Sequence, residues 1–388
     1  ALEDPLRVTP AGDPYPPFHD FAMLVSGPCA AALGELCRER WRRATGRRLP
    51  GPRAGPRPDD ATVSAWPSAI AAAATDIDVA ISRTEPAFGG RRAVDEVRQL
   101  HLDAITHARQ FIFAENQYFT SGLIANALEQ RLAGADSPEM ALLVPAIQAG
   151  WLEASTMGVL RARIHRGLRA ADPAGRYQLY CPSRACDDVA GRCINVHSKV
   201  LVVDDEFLTV GSANLSNRSM HLDTECNLAL AAAGDPRVRA TIAGLRERLL
   251  AEHLGVDAGA VQRSIADTRS LHATIEALAN PRDRWLQRLE PPLDPAIDAL
   301  TPDHDVLDPE RPLDLDVVVT DILPGHRSRN NVRLRLSAIL LAVAALSALA
   351  LAWRYTGLNQ YLNLQAMVAS GTHIRASAWA PLLVPAIF

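Results

Sequence analysis

The sequence predicts an α/β domain with a largely buried sheet, followed by a polar linker and a transmembrane helix. Short apolar runs alternate with longer runs in which apolar residues recur every three or four positions, which is typical of strands packed between helices. Nearer the carboxyl end, residues 336–353 contain no charged side chain, and this run is long enough to cross the core of a bilayer.

The soluble elements follow from these periodicities in chain order. Predicted strands occupy residues 21–26, 76–82, 110–114, 140–144, 177–180, 196–203, 207–210 and 227–231. Predicted helices occupy residues 29–44, 94–108, 123–132, 152–169, 237–252 and 265–278. Because prolines and polar residues are frequent in residues 45–58 and 281–325, we expect a loop and an irregular linker there. No internal repeat is evident.

The composition narrows the class of protein. A chain of 388 residues with 48% apolar side chains can form one large domain or two ordinary ones. A net charge of -4 provides no overall positive field for nucleic acid. Six cysteines are too few for a disulfide framework in a chain of this length, which favours a reducing compartment.

The residues that flank the apolar run at 336–353 predict its orientation. Several arginines crowd the ten residues before the run, whereas Arg354 stands alone after it. By the positive-inside rule the preceding domain is therefore cytoplasmic. Trp353 and Tyr355 lie where an interfacial aromatic belt is expected.

The segment HSKVLVVDDEFLTVGSAN, which begins at His197, concentrates polar residues suited to chemistry. Lys199 is the only lysine among 40 basic residues, so this position has kept a compact ammonium where arginine serves everywhere else. Residues two apart in a strand share a face, so we expect His197 and Lys199 to project together.

An imidazole beside an ammonium is costly in a core but suits the binding of an anion. Ser212 and Asn214 can donate hydrogen bonds from a nearby turn and, with Lys199, could hold a phosphate group. The imidazole can attack phosphorus or protonate a leaving alkoxide. Glu225 could orient that imidazole by accepting a hydrogen bond from its other ring nitrogen.

The pattern H-x-K-x4-D followed by G-S-x-N resembles the signature of the phospholipase D superfamily. The segments HSKVLVVD, GSAN, RSMHLDTECNL and FAENQYF carry the resemblance, which extends over roughly residues 18–233. It implies a mixed sheet flanked by helices, as the second half of a two-lobed fold with pseudo-twofold symmetry. It also implies phosphodiester cleavage or exchange through a phosphohistidine, with no metal and no other cofactor.

The resemblance assigns a role to each residue of the motif. The roles fall to catalytic His197, Lys199 and Asp204, substrate-binding Ser212 and Asn214, and Glu225, which orients the histidine. His197 takes the part of general acid and base, Lys199 contacts the phosphate, and Asp204 supports the motif structurally.

Superfamily members that act as one chain carry two such motifs, one in each half, facing each other across a cleft. No other histidine in this sequence is followed by a lysine two residues later. We therefore expect the first motif in an N-terminal half preceding Ala1, or a second copy of the chain that completes the cleft. The chain starts without Met and ends in an apolar run, so we interpret it as a fragment that is inactive by itself.

The tail shows a second resemblance. A phospholipase D domain followed by an arginine-flanked membrane helix and by ASAWAPLLVPAIF resembles bacterial proteins that append a VTT (DedA-like, SNARE-associated) membrane domain. The chain then divides into a catalytic domain (1–255), a helix with a linker (256–325) and a membrane region (326–388). We expect it in a bacterial-type inner membrane, with the catalytic domain on the cytoplasmic side.

The predicted function is a membrane-tethered phosphodiesterase or transphosphatidylase acting on phospholipids, with no nucleic-acid partner. Two alternatives remain: a nuclease-type phosphodiesterase, which would need a basic surface stripe, and a non-catalytic module attached to a membrane transport domain. A zinc site is also conceivable at Cys181, Cys186, Cys193 and His197. That set lacks the close cysteine pair of common structural sites and would consume the catalytic histidine, so we predict no metal.

Overall fold

The computed structural model describes residues 7–51, 66–146, 156–186, 193–301, 307–311 and 348. The chain divides into one unit of residues 1–313 and a second of residues 314–388. The predicted membrane run at 336–353 lies outside the described residues, apart from Ala348. None of the helices in the described ranges has the length and apolar character needed to cross a bilayer. The transmembrane helix therefore stays a prediction.

Among the described residues of the first unit, three strands are two residues long and eight have five to eight residues. The strands are β1 (Phe18–His19), β2 (Ala80–Glu85), β3 (Val94–Asp95), β4 (Phe111–Asn116), β5 (Glu139–Leu143), β6 (Tyr177–Arg184), β7 (Asn195–Val196), β8 (Lys199–Val203), β9 (Phe207–Gly211), β10 (Glu225–Ala231) and β11 (Arg284–Arg288). The helices are α1 (Pro28–Thr45), α2 (Glu96–His107), α3 (Gly122–Leu132), α4 (Met157–Ala171), α5 (Asn217–His221), α6 (Pro236–Leu254), α7 (Ala258–Thr268), α8 (Leu271–Leu278) and α9 (Pro295–Leu300).

The main sheet has nine strands in the order β11-β6-β5-β4-β8-β9-β10-β2-β3. Strands β4, β5 and β6 run parallel, whereas β4 pairs with β8, β8 with β9, and β9 with β10 in antiparallel fashion. The sheet is therefore mixed, as the sequence predicted. A separate two-stranded parallel pair joins β1 to β7.

Helices cover both faces of the main sheet, so its central strands are apolar on both sides. Along β4, Ile112 and Ala114 enter a core shared with helices α2, α3 and α4. Phe111 and Phe113, which alternate with them, enter a second core with α6, α7 and α8. Burial on both faces explains why these strands appear in the sequence as continuous apolar runs.

Several predicted elements differ from the structure; the strand predicted at 196–203, for example, is two strands, β7 and β8, with two residues between them. The helix predicted at 265–278 is interrupted, because Arg269 adopts a left-handed conformation and Ser270 caps the amino end of α8. The linker predicted at 281–325 contains β11, which pairs with β6 at the edge of the sheet. The strand predicted at 21–26 belongs to neither sheet of the described residues, although half-buried and exposed side chains alternate along it.

Gly211, at the end of β9, provides a test of the packing between β9 and β10. A Cβ atom at this position would lie 2.1 Å from the Asn227 side-chain oxygen and 2.5 Å from the Asn227 Cα. We expect Gly211→Ala to lower the free energy of unfolding by about 1–3 kcal/mol, because backbone atoms must move apart. Urea unfolding of the purified variant measures this.

Gly244 is the matched control, since it lies within helix α6 and a Cβ atom there meets nothing within 4 Å. Gly244→Ala is expected to stabilise the protein by up to about 1 kcal/mol through helix propensity. Equal effects of the two substitutions would mean that β9 and β10 do not approach as closely as described.

Candidate active site

The strand pairing brings the ends of four strands to one edge of the sheet. The register places Asn116, the last residue of β4, opposite Lys199, the first residue of β8. It places Gly211, the last residue of β9, opposite Asn227 near the start of β10, which begins at Glu225. Residues from the HSK, GSAN and ENQ segments therefore meet at this edge although they are distant in sequence.

His197 is held by Asp20. Its ring Nδ1 lies 2.9 Å from Asp20 Oδ2, and 43% of the His197 side chain and 48% of the Asp20 side chain remain exposed. The His197 backbone amide also donates to the carbonyl of His19 at 2.8 Å. A carboxylate at Nδ1 fixes the tautomer and leaves Nε2 for a reaction partner.

Glu225 was predicted to orient His197, and in this structure its carboxylate contacts two serine side chains. One Glu225 carboxylate oxygen accepts from Ser219 Oγ at 2.7 Å, and the other accepts from Ser212 Oγ. Asp20 takes the position expected of Glu225 beside the imidazole. Burial raises the pKa of Glu225, while the two serine hydroxyls oppose that shift.

Lys199 begins β8, two residues after His197, which lies between β7 and β8. Its Nζ donates to the carbonyl oxygen of His197 and to Gln117 Oε1, the latter at 3.1 Å. Burial lowers the pKa of the ammonium, and the negative charges of Asp20 and Glu225 counteract part of this effect. A partly desolvated ammonium interacts more strongly with an anion than a surface lysine does.

The turn that carries Asn214 is fixed by two other asparagines. Asn116 Oδ1 accepts from the Leu215 amide at 3.0 Å, and Asn227 Oδ1 accepts from the Ala213 amide at 3.2 Å. The side-chain oxygen of Asn214 itself is buried without a hydrogen-bond partner among the described residues. Asn214 as a whole is half-buried, and its side-chain nitrogen, not this oxygen, is the group that could donate to a phosphate.

Asp204 does not belong to this cluster, although the motif groups it with His197 and Lys199. It follows the far end of β8, seven residues and about 23 Å of extended chain from His197. Its carboxylate accepts hydrogen bonds at 2.7–3.0 Å from the backbone amides of Arg109, Gln110 and Phe111. The structure thus gives Asp204 a structural role, joining the end of β8 to the start of β4.

Comparison with known proteins finds similarity to phospholipases D. A protein-family model described as "Phospholipase D" matches residues 176–286, which contain the motif. The chain is 25% identical over 224 residues to phospholipase D zeta 2 of Arabidopsis thaliana, covering 45% of this chain and 21% of that protein. It is 25% identical over 331 residues to phospholipase D alpha 1 of Cynara cardunculus, covering 63% of this chain and 41% of that protein. It thus spans less than half the length of these relatives.

The comparisons support the phospholipase D superfamily. Among solved structures, Nuc of Salmonella typhimurium matches 40% of this chain and 82% of its own at 17% identity, with a TM-score of 0.26. The phosphatidylserine synthase of Haemophilus influenzae matches 45% of this chain and 38% of its own at 16% identity, with a TM-score of 0.32. Similarity at this level adds nothing to the sequence matches.

The linker contributes an unexpected contact to the phospholipase D-like domain. Asp308 is fully buried, and its carboxylate accepts from the amides of Asn217 and Arg218 at 2.7 and 3.0 Å and from Thr120 Oγ at 2.8 Å. It therefore anchors the start of α5, from which Ser219 reaches Glu225. Asp308 lies 91 and 90 residues from Asn217 and Arg218 in sequence, so no local pattern indicates the contact.

A buried cluster surrounds Glu115, which precedes the last residue of β4 and is fully inaccessible to solvent. Its carboxylate contacts His19 Nε2 at 2.7 Å, His253 Nε2 at 2.8 Å and Ser198 Oγ at 2.7 Å. Burial alone would lower the pKa of His19, but the hydrogen bonds and charges of Glu115 and Glu252 outweigh it and raise that pKa to about 10. His19 is therefore protonated at neutral pH.

The cysteines that suggested a zinc site do not lie close enough together to share a metal ion. Within the described ranges, a single set of three metal-ligating side chains lies close enough to share an ion, and it comprises His19, Glu115 and His253. The Cys181 thiol is buried and donates to the Pro182 carbonyl at 3.4 Å.

The raised pKa of His19 predicts how stability depends on pH. Its pKa is 6.5 in an unfolded chain and about 10 in the folded protein, so its contribution is complete below pH 6.5 and is lost as the pH rises through about 10. We expect the difference in free energy of unfolding between the wild type and His19→Asn to shrink over this range. Urea unfolding at successive pH values measures it. A difference that stays constant or grows with pH would contradict the ion pair.

Proposed function

We propose that this chain provides half of the catalytic centre of a phospholipase D-type phosphodiesterase or transphosphatidylase acting on phospholipids. The observation that carries the proposal is the Asp20–His197 pair beside the ammonium of Lys199. A half-exposed imidazole with its Nδ1 held by a carboxylate is suited to proton transfer at Nε2. The neighbouring ammonium and the Asn214 amide are suited to a phosphate group.

The proposed reaction has two steps. A histidine of the second half attacks phosphorus, the bond from phosphorus to the headgroup oxygen breaks, and His197 Nε2 gives its proton to that oxygen. Water or an alcohol then attacks the phosphohistidine, gives its proton to His197, and the phosphorus–nitrogen bond breaks. Lys199 opposes the charge that develops on the phosphate oxygens in both steps.

A repeated order of elements supports the need for a second half. Asp20 precedes an apolar segment and then helix α1, which has proline in its first turn; Glu225 begins β10, which is followed by helix α6, again with proline in its first turn. Helix α1 has no buried side chain, and residues 21–26 join no sheet of the described part. On this basis we propose that residues 20–45 are the counterpart, in another lobe, of β10 and helix α6.

This correspondence gives Glu225 a proposed partner. If Asp20 and Glu225 occupy equivalent places in two lobes, the carboxylate of Glu225 is the acceptor for the histidine of the second half, as Asp20 is for His197. An N-terminal half of a longer protein, or a second copy of this chain, would supply that histidine. The membrane helix at 336–353, the VTT-like tail and the cytoplasmic orientation belong to this proposal and favour a phospholipid substrate.

The first prediction concerns His197 in the protein that includes the second half. We expect His197→Ala to abolish headgroup release from phosphatidylcholine or phosphatidylglycerol vesicles, because His197 Nε2 is the proposed proton donor to the leaving oxygen. EDTA should leave the wild-type rate unchanged. His107→Ala is the matched control, since His107 is an exposed histidine on α2.

Each outcome of this assay separates the alternatives. Headgroup release by the His197 variant would refute the assigned role, and loss of activity with EDTA would refute a metal-free reaction. Cleavage of single-stranded DNA in preference to vesicles would favour the nuclease-type function. No turnover of either substrate would favour the non-catalytic module.

The second prediction concerns Lys199. We expect Lys199→Arg to lower kcat at least tenfold, because the wide guanidinium does not fit the small buried position between the His197 carbonyl and Gln117. Steady-state kinetics on the same vesicles measures this. Wild-type turnover would mean that the single lysine has no special function.

A further inference from the structure

The cluster around Glu115 joins four parts of the chain at one carboxylate. His19 comes from β1, Ser198 from the residues between β7 and β8, and His253 from the end of α6, while Glu115 itself lies on β4. Glu252 reaches the far side of the His19 ring at 3.3 Å. The Glu115 side chain at the centre of the cluster has no solvent exposure.

Two members of the cluster are the sequence neighbours of the reacting pair. His19 precedes Asp20, and Ser198 follows His197. His19 and Ser198 are buried, whereas Asp20 is exposed and His197 is half-exposed. Adjacent residues of an extended chain point to opposite sides. The two buried side chains therefore point back to Glu115, while Asp20 and His197 point away from it towards solvent.

The backbones of the same two segments are paired. Strands β1 and β7 run parallel, with His19 aligned with Val196. The amides of Asn195 and His197 donate to the carbonyls of Pro17 and His19 at 3.0 and 2.8 Å. This pair of strands is only two residues long, so its alignment depends on side chains that hold both segments.

We propose that Glu115 is a positioning residue that clamps the segment of Asp20 to the segment of His197 and keeps their hydrogen bond aligned. It does so by binding His19 on one segment and Ser198 on the other, while His253 anchors the carboxylate to α6. The effect on catalysis that this proposal predicts rests on the proposed phosphodiesterase function. The alignment of the two segments by Glu115 does not depend on that function.

The spacing within the cluster favours a clamp over a metal centre. Nitrogen and oxygen ligands about 2.0 Å from a tetrahedral zinc ion lie about 3.3 Å from one another. The two histidine nitrogens lie 2.7 and 2.8 Å from the Glu115 oxygens, which are hydrogen-bond distances. Elemental analysis of the purified protein tests this directly.

Glu115→Gln is the test of the clamp, and Glu139→Gln is its matched control. Glu139 is also a buried carboxylate on a central strand, and it accepts from Ser270 Oγ at 2.8 Å and the Leu271 amide at 2.7 Å. It is aligned with Phe111, so it lies four residues, or about 13 Å, along the sheet from Glu115.

In the complete protein we expect Glu115→Gln to lower kcat for headgroup release by about 10- to 100-fold with KM changed less than about twofold. Ser198→Ala removes only one hydrogen bond and should cause a smaller loss of the same kind. Glu139→Gln should leave kcat within about twofold of the wild type. Equal losses in both glutamine variants, or a change confined to KM, would overturn the proposal.

Hydrogen–deuterium exchange gives a readout that needs no activity. In Glu115→Gln, and to a lesser extent in Ser198→Ala, the amides of Asn195 and His197 should exchange faster, whereas Glu139→Gln should affect residues near Leu271 instead. If the wild type proves inactive, this experiment still decides whether the clamp exists. Unchanged exchange at 195–197 would overturn the clamp. One equivalent of a divalent metal that is lost in Glu115→Gln would replace it with a metal centre.

Discussion

The pairing of β8 with β4 on one side and β9 on the other determines where every residue of the motif lies. Since β8 is antiparallel to both neighbours, its first residue, Lys199, meets the end of β4 and the end of β9. The same pairing carries Asp204 to the opposite edge. One strand thus separates the motif into a chemical end, with His197 and Lys199, and a structural end, where Asp204 holds three backbone amides.

Charge at the chemical end is balanced between groups from distant parts of the chain. Lys199 loses solvation by burial, and the carboxylates of Asp20 and Glu225 offset part of that loss. Each carboxylate has a different partner: Asp20 binds the imidazole, and Glu225 binds two serine hydroxyls. In the proposed reaction a phosphate would meet one ammonium influenced by two carboxylates, so the proposal also assigns part of its binding to the His197 ring and the Asn214 side chain.

Much of the fold could be predicted from the sequence, because the central strands are apolar on both faces and the helices between them are amphipathic. Strands β4, β5 and β9 and helices α3 and α6 lie within two residues of their predicted bounds. The elements that were predicted wrongly differ from the structure for local or long-range reasons. The helix predicted at 265–278 is broken by the conformation of Arg269, and β11 is a strand because β6 offers it an open edge.

In the candidate site, too, residues close in sequence could be predicted as neighbours, whereas distant ones could not. Its motif gave His197 and Lys199 as neighbours, since both lie on a short stretch of chain. Glu225 was predicted to be the partner of His197. The contact observed is with Asp20, which lies 177 residues from His197 in sequence, so the spacing of the motif does not indicate it. A single signal could have found it: a histidine and an aspartate stand together at 19–20, just before an apolar segment. Asp308 gives no such signal, because only the folded chain brings it to α5.

The equivalence of Asp20 and Glu225 links the local geometry to the architecture. Each carboxylate precedes an apolar segment and a helix with proline in its first turn, but only the segment after Glu225 is paired in the main sheet of the described residues. Helix α1 is 18 residues long without a buried side chain, which is unstable for a helix in isolation. In the proposed two-lobed protein, a further layer of protein would cover the apolar side chains of α1 and bring a second histidine to Glu225. The proposal of a second lobe thus accounts for the incomplete packing of α1 and provides a histidine partner for Glu225.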